Sequence, residues 1–195
     1  MEKIKSIAFF GHRDINDKDL EKELINILVE LIQQGFKIFK IGVHGDFDFL
    51  AFKVCKNLKK IYQDIKILIV STSFSIFKKD SLINILYEDF EIITYPIENV
   101  YYKNKIWISN KYMIEDSDLL LCYVDIKKEG GAKRAMLYGL KIGKEVINLY
   151  KKTKCEHFCI KFFNFVSHFV FFNTNLEIFL ELIFIFINLM IKNLG

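Results

Sequence analysis

The strongest constraint on this chain is an alternation. Short apolar runs bounded by glycine or polar turns are separated by longer stretches with helical periodicity. Lys5 to Phe10 is such a run and stops at Gly11. Beyond it Leu20, Leu24, Ile27, Leu28 and Leu31 recur at helical spacing, with Asn16 or Asp17 placed to cap the helix and Gly35 to end it. The next strand is expected over Phe36 to Val43. A helix with Ala51, Val54, Cys55, Leu58, Ile61 and Tyr62 on one face should follow, and then a strand from Ile65 to Val70. After a less regular stretch the pattern resumes. A helix is expected over Ile106 to Asp116 with Met113 and Ile114 inward, and a strand over Leu119 to Val124. The next helix opens at Gly130-Gly131, carries Ala132, Ala135, Met136 and Gly139 along one face, and ends at Gly143; a last strand runs from Glu145 to Leu149. Runs this short and this apolar suit strands covered on both faces. The chain should therefore build a mostly parallel sheet with helices on both faces. Strand one should be central, with strands two and five as neighbours.

That pattern covers residues 1–150 and describes a Rossmann-like α/β domain. Within it, residues 71–103 are harder to read. Ser71 to Ser75 should be a loop, Ser81 to Glu88 a short helix, and Glu91 to Tyr95 a strand closed by Pro96. The chain has 195 residues, room for one domain with an appendage. Residues 151–195 form that appendage and hold half of the 20 phenylalanines. Thr174-Asn175-Leu176-Glu177 has capping-box form and precedes an apolar run to Ile191. A helix over Leu176 to Ile191 is expected, with Glu177, Glu181, Asn188 and Lys192 on one narrow stripe. It is too short, and too interrupted by Glu181, to span a membrane, which takes about 20 residues. Its apolar face should bury against the domain or against a second copy of the chain, giving a homo-oligomer, and membrane contact is not expected.

Net charge is +4, with both signs scattered along the chain. That is too diffuse for a nucleic-acid footprint, so no nucleic-acid partner is expected, while a nucleotide-sized anion is compatible. The opening MEKIKSIAFFGHR lacks signal-peptide shape, and a cytoplasmic location is expected. Of the cysteines, Cys55 falls on a helix core face and Cys122 in a strand. Cys155 and Cys159 flank His157 but supply too few ligands for zinc. No metal and no cofactor are expected.

A parallel sheet gathers the loops at the C-terminal ends of its strands, and here three of them are rich in chemistry. Gly11-His12-Arg13 follows strand one. The glycine permits close approach, and the arginine fork suits phosphate or carboxylate. Gly42-Val43-His44-Gly45-Asp46-Phe47-Asp48 follows strand two. One of its carboxylates should cap the next helix, leaving the other free for a hydroxyl such as that of a ribose. Gly130-Gly131 opens a helix, where free N–H groups and positive partial charge attract phosphate. No Gly-Lys-Ser/Thr follows, so this is no Walker loop. Strand one leads into Gly-His-Arg rather than the dinucleotide fingerprint.

Taken in order, FFGHR, GVHGDFD, NKYMIEDSDLLLCYV and GGAKRAMLYGLKIGKEVINLY resemble the SLOG superfamily. This Rossmann-like group includes the DprA/Smf proteins, the LOG phosphoribohydrolases and the YpsA-like bacterial proteins, and the likeness is greatest to small proteins near YpsA. It covers about residues 4–150 apart from 71–100. It implies a site for a nucleotide or nucleotide-derived small molecule built from Gly11, His12, Arg13, Gly42, His44, Gly45, Asp46, Asn110, Gly130 and Gly131. Asp118 also belongs to the matching stretch and should be structural, positioning the start of a strand. Two departures separate the chain from the LOG enzymes. Ser109 stands where relatives usually carry arginine, and Leu137 occupies the place of the catalytic glutamate, with Glu129 at the wrong spacing. The hydrolytic activity of that branch is therefore not implied. Two classes of function remain. One is a binding or sensing module for a nucleotide-derived ligand. The other is a hydrolase acting on such a ligand at an N-glycosidic or phosphoester bond, using His12, His44, Asp46 and Asp48 as acid–base groups. A variant of the latter would hold a metal on His12, His44 and Asp46. A scaffolding role, with the apolar tail as contact surface, is the remaining alternative.

Overall fold

The computed structural model describes residues 4–72, 87 and 90–150, all within the compact unit Met1–Tyr150. The expected loop from Ser71 to Ser75 beyond residue 72, most of the expected helix from Ser81 to Glu88, and the whole appendage with its zinc-like cluster lie outside the described residues. The strands are β1 (Lys5–Gly11), β2 (Phe36–Ile41), β3 (Lys66–Val70), β4 (Glu91–Ile93), β5 (Leu119–Tyr123) and β6 (Glu145–Asn148). The helices are α1 (Leu20–Gln33), α2 (Asp46–Lys59), α3 (Lys105–Glu115) and α4 (Gly131–Lys141), with a 3-10 turn at Tyr102–Asn104.

The six strands lie in the order β4-β3-β2-β1-β5-β6, and every pairing is parallel. This is the mostly parallel Rossmann-like sheet that the alternation predicts, with β1 between β2 and β5. From β1 the chain steps to β2, β3 and β4 in one direction. It then returns across the sheet to β5 and steps to β6 in the other. Right-handed crossovers in opposite directions place their helices on opposite faces. Accordingly α1 and α2 pack on one face and α3 and α4 on the other. The alternation within β1 serves both layers: Ile7 and Phe9 enter one core, Ala8 and Phe10 the other. The direction of travel switches between β1 and β5. In such sheets the crevice at the strand ends beside the switch is where ligands bind.

Several boundaries shift for local reasons. Helix α1 starts after Asp19, not at Asn16 or Asp17, because the Asp17 carboxylate accepts the Asp19 N–H at 3.0 Å and turns the chain before the helix begins. Strand β2 stops at Ile41, and Gly42 beyond it lies against the Asp48 carboxylate, 2.8 Å from where a Cβ would stand. Helix α2 stops at Lys59 in a tight turn, with Ile61 N–H on Leu58 O at 3.0 Å, so Ile61 is 74 % exposed rather than core. Gly35 and Gly143 do end their helices, with φ of 90° and 77°. Cys55 and Cys122 are buried free thiols whose ionisation burial suppresses. Asp118 accepts the Ser6 N–H at 2.9 Å and its hydroxyl at 3.0 Å, tying the start of β1 to the start of β5. No helix among the described residues is long and apolar enough to cross a membrane.

One buried cation was not anticipated. Lys40, 4 % exposed on β2, reaches the end of α3, where its ammonium donates to the Asp116 backbone carbonyl and to Asp116 Oδ2 at 2.7 Å. The contact places a positive charge at the negative end of the helix dipole. The Asp116 side chain is itself 66 % exposed, so the pair is unequal. Removing the anion leaves a desolvated cation with only the Asp116 backbone carbonyl, among the described residues, as acceptor. Replacing the cation with an apolar chain strands nothing. Asp116→Ala is expected to cost about 1–2 kcal/mol, whereas Lys40→Met should stay within about 1 kcal/mol of wild type. Urea melts of both variants check the asymmetry, and equal losses would contradict it.

Candidate functional site

The C-terminal edge of the sheet holds a cavity of about 490 Å³ beside the switch point. Of the residues singled out in the sequence, Gly11, His12, Arg13, Gly42, His44, Gly45, Asn110, Gly130 and Gly131 line it, and Asp46 does not.

The loops after β1 and β2 interlock. The Asp46 N–H donates to Arg13 O at 2.9 Å, and a Cβ on Gly45 would come within 3.0 Å of the Arg13 Cα. A Cβ on Gly11 would meet the buried Phe47 ring at 2.3 Å. That ring stacks on Tyr123, with centroids 5.9 Å apart. These glycines are therefore dictated by packing inside the protein.

Asp48 fastens the second loop. From the first turn of α2 its carboxylate reaches back to the His44 N–H, 2.9 Å from Oδ2, and to the Gly45 N–H. A Cβ on Gly42 would lie 2.8 Å from the same oxygen. Burial drives the Asp48 pKa up to about 6, and the two backbone hydrogen bonds only partly oppose it. Of the two carboxylates, Asp48 takes the capping task. The spare one, Asp46, is exposed outside the cavity, which removes the basis for a ribose contact there.

His12 is also engaged. Its Nε2 accepts the Asp125 N–H at 2.7 Å, which puts the ring proton on Nδ1. The ring meets Tyr150 edge-on, and the Tyr150 hydroxyl donates to Asp125 Oδ2 at 3.0 Å. Asn148 braces the same corner, accepting the Val124 N–H and donating to Val124 O, both at 2.9 Å. His44 keeps an open edge, yet its pKa is lowered, first by desolvation and then by the Arg13 guanidinium. Among the described residues His12, His44 and Asp46 form no metal-ligand cluster.

Arg13 is exposed at the cavity wall. Among the described residues no carboxylate pairs with it, and the ion pairs that do form involve lysines. Opposite β1, α4 begins at Gly130 with no side-chain cap. A Cβ on Gly130 or Gly131 would meet nothing within 4 Å. Unlike Gly11, these two glycines answer no internal packing contact, and the first N–H groups of α4 have no acceptor within the helix.

Helix α3 closes the cavity with Ile106, Ser109, Asn110 and Met113. Their spacing is one helical face, and its two central polar residues were the available signal. Val70, Thr72 and Lys128 also line the cavity and carried no signal in the sequence. Leu137, in the place of the LOG glutamate, is exposed and away from the cavity.

No family model matches the sequence, and no curated protein matches it. Among solved structures, DNA processing protein A from Helicobacter pylori, described for its single-stranded DNA binding mode, is similar at a TM-score of 0.56 and 18 % identity. The match covers 77 % of this chain and 67 % of that one. A probable mandelate racemase from Alicyclobacillus acidocaldarius matches at 16 % identity over 76 % of this chain and 43 % of its own, but its TM-score of 0.30 carries no argument. The expectation that nucleic acid is no partner is corrected here. A protein described as binding single-stranded DNA is built on this fold, so diffuse surface charge does not rule such partners out. At this distance the likeness establishes one thing: the chain shares the Rossmann-like fold of the DprA/Smf proteins.

Proposed function

We propose that the crevice binds a phosphate-bearing, nucleotide-derived molecule, and that the protein is a binding or sensing module of the SLOG type. The observation that carries this reading is the pairing of an uncapped helix N-terminus, opened by two glycines with no atom near their Cβ positions, with an arginine that pairs with no carboxylate among the described residues. An anion there would gain backbone N–H donors and a guanidinium without displacing any internal contact. The four-motif resemblance to SLOG proteins supports the same reading.

The hydrolase alternative has less behind it. His12 Nε2 is taken by backbone, Asp46 lies outside, and of the carboxylates that line the cavity Asp48 is spent on the His44 and Gly45 N–H groups and Glu129 pairs with Lys133, which leaves Asp14. The phosphate held here could belong to a free nucleotide or to a strand of DNA, and both belong in the same test. Thermal unfolding should be followed with NAD, ADP-ribose, cyclic dinucleotides, nucleoside monophosphates and a short oligo-dT. A specific ligand at a hundredfold excess over Kd adds about 2.7 kcal/mol of stability. Recovery of the ligand unchanged after long incubation separates sensor from hydrolase. A flat response to every phosphate compound overturns the proposal.

A further inference from the structure

Outside the cavity mouth, the rim formed by the segments leading into α3 and α4 is apolar and basic at once. Both helices run back from the C-terminal edge of the parallel sheet, so both segments lie at that edge. Ile106 and Lys128 each border the cavity, and the Arg134 guanidinium rests 3.8 Å from the centre of the Trp107 ring, which holds the two segments side by side. From them Tyr101, Tyr102, Ile106 and Ile126 stand 44 % to 66 % exposed. A single exposed apolar side chain is ordinary, but four on one rim mark an interaction surface. Lys103, Lys127, Lys128 and Arg134 are interleaved with them and exposed. Among the described residues none of these four cations pairs with a carboxylate. Of the acids near in sequence, Asp125 is buried and accepts the Tyr150 hydroxyl, Glu129 is paired with Lys133, and Glu98 is exposed. Four exposed cations outweigh one exposed anion, and the rim is positive.

We propose that this rim docks the protein on an anionic lipid surface, with the two tyrosines and two isoleucines entering the headgroup layer and the cations meeting lipid charge. Tyrosine suits that depth because its ring is apolar and its hydroxyl stays wet. Isoleucine reaches the acyl boundary, and lysine and arginine are drawn to anionic headgroups. The contact is peripheral, since no described helix is long and apolar enough to cross a membrane. A single strand of nucleic acid is a poorer occupant, because it needs open ring faces on which to stack. Here one face of Trp107 carries Arg134, and Tyr101 and Tyr102 turn toward each other at 4.7 Å and 58°. The isoleucines offer no stacking surface at all. The docking is independent of what the cavity binds.

Co-sedimentation of the full chain with vesicles tests the proposal, using phosphatidylcholine alone and phosphatidylcholine mixed with phosphatidylglycerol. The mixed vesicles should bind about tenfold or more tighter than the neutral ones. That advantage should shrink as salt rises from about 0.1 M to about 1 M, where the screening length falls from about 10 Å to about 3 Å. Two double variants read the two halves of the rim. Tyr101→Ser with Tyr102→Ser, and Lys103→Glu with Lys127→Glu, should each weaken binding to mixed vesicles about tenfold or more. Both should leave the melting temperature of the free protein unchanged, because exposed side chains carry little of the stability. Vesicle binding that survives both variants lies elsewhere in the chain, residues 151–195 included, and overturns the proposal. Equal binding to neutral and mixed vesicles overturns it too, as does binding to neither. Oligo-dT binding lost in the same variants, without vesicle binding, assigns the rim to nucleic acid instead. A change of oligomeric state in the variants, read by light scattering without lipid, assigns it to a second copy of the chain.

Discussion

Asp48→Asn is expected to make the protein more stable at pH 7, by about 1–3 kcal/mol. The carboxyl is pushed from an ordinary 3.8 to about 6 by burial, and each unit of such a shift is worth about 1.4 kcal/mol. The lower part of the range is favoured because the cavity brings water to part of the side chain. The folded protein holds a proton that the unfolded chain releases between about pH 4 and 6. Stability from this group is therefore greatest below that window, falls as pH rises through it, and is lowest above it. Asparagine keeps an oxygen for the His44 and Gly45 N–H groups and discards the buried charge. Asp48→Ala discards the acceptor as well and should cost stability at every pH. The groups around Asp48 sharpen the test. His44 has a lowered pKa, so its contribution runs the other way, with stability rising as pH climbs through the histidine range toward 6.5. Tyr87 is pushed up to about 12 by burial and then by the Asp48 charge, and stays neutral throughout. The stability difference between Asp48→Asn and wild type should thus grow from near zero at pH 4 to its full size above pH 6. A difference independent of pH would mean that Asp48 carries no buried charge.

The parts of this architecture that were legible in the sequence are those set by periodicity. β1 reads as a strand because Ile7 to Phe10 are buried on alternate faces, and α1 because Leu20, Leu24, Leu28 and Leu31 share one stripe. β1 also lies between β2 and β5, as expected from the alternation of apolar runs and helical stretches. What escaped notice depends on contacts distant in sequence. Nothing near Lys40 announces that its ammonium ends on Asp116, and it reads as an ordinary strand lysine until the end of α3 is in place. The same holds within the site. GHR, GVHGDFD and GG mark the loops, but the division of labour between Asp46 and Asp48 is decided by which carboxylate can turn back on its own loop. Both lie in the first turn of α2, but Asp48 reaches the His44 and Gly45 N–H groups, and Asp46 is exposed and does not line the cavity. His12 attracts attention as an acid–base group, yet its Nε2 is spent on Asp125, 113 residues away. The four glycines with the clearest sequence signal split into two kinds that no motif distinguishes. Gly11 and Gly45 are required by neighbouring protein atoms, whereas Gly130 and Gly131 are not.

That contrast determines what Arg13 should do. Its backbone is structural: Arg13 O accepts the Asp46 N–H, and Gly45 packs on its Cα. Its side chain is not, since it is exposed, lines the cavity and pairs with no carboxylate among the described residues. Arg13→Ala keeps the first set of contacts and removes the second. Folding stability should therefore change by less than about 0.5 kcal/mol. Affinity for the phosphate-bearing ligand should fall about tenfold or more, because a charge-assisted bond to a guanidinium is worth roughly 1.5–3 kcal/mol. The His44 pKa should rise toward its ordinary value as well, since the neighbouring positive charge is one of two causes that lower it. This shift can be read by NMR in the ligand-free protein and is independent of which nucleotide binds. Arg13→Lys keeps the charge but not the fork and should recover only part of the affinity. A variant that binds the ligand as tightly as wild type, while His44 shifts as expected, would show that the guanidinium lies near the loop but outside the anion's reach. The phosphate would then depend on the Gly130-Gly131 helix start alone.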